Sequence, residues 1–120
     1  MSKALKILVA VDGSVSSLRA VQHVVDLAQR GLAVELHLLN VQPPVRGAAT
    51  ILLPRGELAD YHREEGMKAL ADAVQALKVV GIAHHLHVAV GAPAQTVLAF
   101  VQRLACAMVV MGTRGYGGGV

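Results

Sequence analysis

Aromatic side chains are nearly missing from this chain: its 120 residues include one phenylalanine, two tyrosines and no tryptophan. A protein that grips single-stranded nucleic acid stacks bases on aromatic side chains beside a basic groove. The formal net charge is +3 and the basic residues are scattered, so neither half of such a surface is visible. Cysteine is limited to Cys106, which excludes an internal disulfide framework. No apolar run reaches the ~18 residues of a membrane-crossing helix. The apolar stretch of the opening MSKALKILVAV is short and runs into Asp12, unlike a secretory leader. Neither Gly-Lys-Ser nor Gly-Lys-Thr occurs, so no P-loop lysine can reach a γ-phosphate. These absences describe a cytoplasmic chain with no nucleic-acid or membrane partner.

Hydrophobic residues make up 54% of the chain, enough for a packed core in one domain. Residues 5–11, LKILVAV, are apolar on both alternating faces, as in a strand covered on both sides. DGSVSS follows, with Ser14 or Ser17 as the cap of a helix whose apolar positions are Leu18, Val21, Val25 and Ala28. Gly31 stops it. Residues 33–41 form a second strand. Residues 43–56 hold Pro43, Pro44, Gly47, Pro54 and Gly56 and read as a long mobile loop. Helical spacing resumes from Glu57 to Val80, with Leu70, Ala73, Val74 and Leu77 on one face and Gly81 at the end. Residues 83–90 form a third strand. Pro93 opens a helix whose buried face is marked by Val97, Leu98, Val101 and Leu104, and residues 107–111 form the fourth strand.

Alternating strands and amphipathic helices predict an α/β fold: a three-layer, doubly wound parallel sheet. In the strand order 3-2-1-4, the first and fourth strands are neighbours at the reversal of winding. Ligands bind at that point, beyond the carboxyl ends of the strands. Asp12 and Gly112 then face one crevice from either side. Asp12 serves there as a ligand contact or as a turn residue capping the first helix. Val11 and Met111 either floor a ligand pocket or belong to the core. The closing stretch GTRGYGGG offers backbone N–H groups unobstructed by Cβ atoms, which suits a phosphate. In it, Thr113 and Arg114 are either phosphate contacts or solvated loop residues.

VAVDGSVSSLRA, VELHLLNVQPP, GAPAQTVLAF and VVMGTRG, in this order, resemble a universal stress protein domain over essentially the whole chain. The resemblance implies an adenine-nucleotide α-hydrolase-like fold, a stress-linked signalling role, a homodimer, and ATP or a related nucleotide with Mg or Mn as an optional companion. It assigns Val41 the backbone contact to adenine; a plain strand end is the other reading. Nucleotide-binding members carry Gly, two residues, Gly, nine residues, then Gly with Ser or Thr. Gly112 and Gly115 match the first half, while the second pair would fall at about positions 125 and 126. The family's last helix and fifth strand are accordingly expected to be missing from these 120 residues. ATP affinity is therefore expected to be weak, and residues 106–111 to be covered by a partner chain or to drive self-association. A nucleotide-free dimer and a slow ATP hydrolase are the alternative functions.

Three histidines crowd residues 84–87. Strand alternation puts His85 and His87 on one face and His84 on the other. Two histidines make a poor zinc site, since such sites use three or four ligands. With no carboxylate or cysteine close in sequence, no metal site is expected there. Cys106, between apolar residues, is expected to be buried and inert.

Overall fold

The computed structural model describes residues 3–45 and 55–112. Seven elements follow in chain order: β1 (Leu5–Ala10), α1 (Val15–Gln29), β2 (Val34–Gln42), α2 (Arg55–Val80), β3 (His84–Val90), α3 (Pro93–Leu104) and β4 (Met108–Met111). The four strands form one sheet in the order β3-β2-β1-β4, with every pairing parallel. The expected α/β topology is therefore the observed one.

Strand alternation sends the apolar side chains to two cores. Ile7, Val9 and Val11 of the first strand region join Leu36 and Leu38 of β2 beneath α1 and α2, which contribute Val21, Val24, Leu70, Ala73 and Leu77. On the opposite face, Leu8 and Leu39 meet Val97 of α3, with Phe100, Val101 and Cys106 packed around them. Each fully buried Leu or Ile contributes about 1.5–3 kcal/mol of gross hydrophobic stabilisation.

The helix ends follow local chemistry. Ser14 is the N-cap of α1, its hydroxyl accepting the Ser17 N–H at 3.1 Å. Ser17 lies within the helix, donating its own hydroxyl to the Ser14 carbonyl at 3.0 Å. Gly31 and Gly81 follow α1 and α2 at φ of +106° and +75°, a region that side chains other than glycine rarely enter. Pro93 stands in the first turn of α3, where its missing N–H is no loss.

Several side chains depart from the expected pattern. Leu98 is 56% exposed, because the stripe of α3 that meets the sheet runs through Val97, Phe100 and Val101. Leu98 lies one residue, or about 100°, from Val97 around the helix. In α1 the buried positions are Ser17, Ala20, Val21 and Val24, whereas Leu18, Val25 and Ala28 are half-buried. The face is rotated by about one residue, and the inward Ser17 hydroxyl is satisfied by the Ser14 carbonyl and the Asp12 N–H. Cys106 is half-buried, and burial pushes its thiol pKa up, which suits an unreactive side chain. The second helix begins at Arg55 rather than Glu57. Most of the expected 43–56 loop lies outside the described residues.

Candidate functional site

The crevice lies where the winding reverses. Ala10 is level with Leu39 on one side and Met111 on the other, so β1 and β4 end side by side. Beyond their ends is a cavity of about 170 Å³. Five expected site residues line it: Val11, Asp12, Val41, Met111 and Gly112. Ser14, Ser17, Pro93 and Val97 complete much of its wall. Thr113, Arg114 and Gly115 lie outside the described residues. A pocket for a whole drug-sized ligand measures roughly 300–1,000 Å³. The crevice formed by the described residues is smaller than that.

Each wall residue is held by identifiable bonds. The Val11 N–H still donates to the Leu39 carbonyl at 2.8 Å, continuing the sheet pattern past β1. The Val11 carbonyl accepts from Asn40 Nδ2 at 2.8 Å, and Asn40 Oδ1 accepts from Gln42 Nε2 at 2.6 Å. Asn40 is buried, so this amide fixes where the chain leaves the sheet. Sequence inspection misses it. A polar residue in an apolar strand was the available signal, and only the fold shows its partner.

After Val11 the chain turns at Gly13, with φ of +86°. Asp12 accepts the Ser14 N–H on Oδ1 at 2.9 Å, and its own N–H donates to Ser17 Oγ at 3.3 Å. Asp12 is thus both a turn residue and an exposed part of the crevice wall. Ser14, not Asp12, caps the helix. These contacts hold the first turn of α1 against the crevice, where a helix N-terminus favours negative charge by about 0.3–1 kcal/mol. The first turn of α3 reaches the same cavity through Pro93 and has no side-chain cap.

Gly112 has a packing reason to be glycine. A Cβ built there would overlap the Ser16 carbonyl and the Ser17 amide nitrogen, both backbone groups of the first turn of α1. The glycine lets the strand exit and the helix N-terminus touch.

A model of the Universal stress protein family matches residues 4–119. The chain belongs to the universal stress protein family. A universal stress protein of Methanocaldococcus jannaschii is 27% identical over 116 residues, covering 92% of this chain and 65% of that protein. This family member therefore spans somewhat less than two thirds of the curated relative's length. Among solved structures, universal stress protein UspA from Lactobacillus plantarum superposes with a TM-score of 0.72 at 21% identity, over 97% of this chain and 83% of that one. A universal stress family protein from Arabidopsis thaliana, solved with AMP bound, gives a TM-score of 0.69 at 20% identity, over 94% and 79% of the two chains. A universal stress protein in complex with cAMP gives 0.67 at 24%, over 91% and 76%. At these identities the structures share the fold.

A larger groove of about 590 Å³ lies between α2 and β3, lined by His62, Met67, Leu86 and Val88 among others. It is at the β3 edge of the sheet, two strands from the β1–β4 reversal. No described helix is long and apolar enough to cross a membrane.

Proposed function

We propose that this universal stress protein is a cytoplasmic binding module for ATP or a related adenine nucleotide, held between the chain segments that follow β1 and β4. The observation carrying this reading is the convergence of Val11, Asp12, Val41, Met111 and Gly112 on one cavity at the topological switch point. Two relatives of the same fold hold AMP and cAMP, which supports an adenine ligand class. The apolar Val11, Val41 and Met111 suit the base, and Asp12 offers an acceptor to an adenine amino group or a ribose hydroxyl. Thr113, Arg114 and Gly115 extend the reading to the phosphates, with Mg or Mn as an optional companion there. Asp12 is the one carboxylate among the described residues lining the cavity, so binding is better supported than hydrolysis.

The test is an amide NMR titration with ATP, which detects weak binding as readily as tight. Shifts should concentrate at Val11, Asp12, Val41, Met111 and Gly112. Asp12→Ala should weaken the affinity by about 1–3 kcal/mol if one buried hydrogen bond is lost. Saturating ATP without shifts at these amides would overturn the assignment.

A second copy of the chain is the proposed partner. Among the described strands, β4 pairs with β1 alone. Its Met108, Val109 and Met111 are large, apolar and exposed, without the lysine or proline that guards a solvent-facing edge. Sedimentation should report a dimer or larger species, and Val109→Lys should shift it toward monomer. A wild-type monomer at high concentration would remove the second copy from the proposal.

A further inference from the structure

The histidines of β3 acquire partners that lie about fifty residues away in sequence. Parallel pairing sets His37 of β2 beside His85 of β3, and Leu39 beside His87. Alternation then puts Glu35, His37, His85 and His87 on one face of the β2–β3 pair. His37 is buried and stands at the centre. Its Nε2 lies 2.8 Å from Glu35 Oε2, and its Nδ1 lies 2.9 Å from His87 Nε2. The His85 ring stacks on it with centroids 4.6 Å apart. One ligand atom from each of Glu35, His37 and His85 falls within a group no more than 4.8 Å across.

We infer that Glu35, His37 and His85 form a binding site for a borderline divalent ion, of which Zn²⁺ is the type, on the sheet face away from α1 and α2. Two imidazoles and one carboxylate are a donor set that suits zinc and its neighbours better than calcium or magnesium. Bonds of about 2.0–2.1 Å place tetrahedral ligand atoms roughly 3.4 Å apart. Closing the group to that size calls for motion of the Glu35 chain and a turn of the exposed His85 ring, while buried His37 stays in place. The His37 nitrogen facing His87 is then the outer one. An N–H there donates to His87 Nε2, the orienting bond that metal-bound histidines commonly make. Three protein ligands leave a fourth position for water.

The site is distinct from the nucleotide crevice. Glu35 and His37 belong to the beginning of β2, whereas the crevice gathers residues at the carboxyl ends of the strands. Its ion would clamp β2 to β3, the strand at the sheet edge. This departs from the expectation that the β3 histidines are only polar strand positions, because neither Glu35 nor His37 is near them along the chain.

The experiment is titration of the tag-free protein with Zn²⁺ in calorimetry, and with Co²⁺ followed by its visible absorption. One equivalent should bind, the Co²⁺ complex should show the intense bands of tetrahedral coordination, and Zn²⁺ should raise the melting temperature. Glu35→Gln and His85→Ala alter the less buried ligands and should each weaken Zn²⁺ at least tenfold. His84→Ala, on the opposite face, should leave affinity unchanged. His37→Ala should abolish binding, with circular dichroism checking that the sheet persists. Absence of a one-to-one Zn²⁺ complex would overturn the site, as would Glu35→Gln and His85→Ala variants that bind like the wild type.

Discussion

Leu38→Ala is expected to destabilise the protein by about 2–5 kcal/mol, the usual range for emptying a buried leucine site. Leu38 sits in the interior strand β2, beside Val9 of β1 and Leu86 of β3. It is fully buried in the core that α1 and α2 close with Val21, Val24, Leu70 and Leu77. Three of the elements around it are strands or helices fixed by their own pairing and caps, so the site cannot collapse freely onto a smaller side chain. A domain of this size loses roughly 3–6 °C of melting temperature per kcal/mol. Leu38→Ala should therefore melt at least about 6 °C below the wild type. Leu98→Ala is the matched comparison, because Leu98 is also a leucine in regular structure but is mostly exposed. It should change stability by no more than about 0.5 kcal/mol. Similar losses from both substitutions in urea unfolding would contradict the outward placement of Leu98 on α3.

The difference between those two leucines marks what periodicity can and cannot convey. Strand order was readable because LKILVAV and residues 107–111 are apolar on both faces. A chain that alternates such strands with helices has few ways to wind. Helix orientation is less determinate. An apolar stripe of four residues spans more than the contact line, and the edge of that stripe depends on which neighbours exist in three dimensions. Leu98 fell outside the line, and Ser17 fell inside α1 despite its polarity. Its buried hydroxyl is satisfied by bonds with Asp12 and Ser14, which no hydrophobic pattern encodes.

The crevice was legible for a different reason. Asp12 and Gly112 stand directly after apolar runs, and the reversal of winding makes their neighbours converge whatever the intervening sequence. Asn40 and the Glu35–His37 pair were not legible in the same way. Their significance rests on cross-strand register. Asn40 needs Val11 beside it, and Glu35 and His37 need His85 and His87 opposite. Each of these residues looks like an isolated polar position until the sheet pairs them.

Gly112→Ala is expected to disturb folding and the crevice together. The added Cβ meets main-chain atoms of Ser16 and Ser17, so the clash cannot be relieved by changing a side-chain rotamer. Either the end of β4 or the first turn of α1 must move. Moving α1 strains the Ser14 cap and its bonds with Asp12 and Ser17, while moving β4 displaces Met111 from the cavity wall. Overpacking of this kind costs typically about 1–3 kcal/mol. Because both routes alter a wall of the same crevice, the ATP binding proposed there should weaken as well. Gly31→Ala separates the steric effect from the general cost of replacing a glycine. Gly31 also follows a helix, and its own positive φ disfavours alanine, but a Cβ there meets nothing within 4 Å. It should lower stability without changing the ATP titration. A Gly112→Ala protein that is as stable as the wild type and shows the same ATP shifts at Val11, Asp12 and Met111 would mean that the strand end and helix N-terminus are not in the contact that shapes the site.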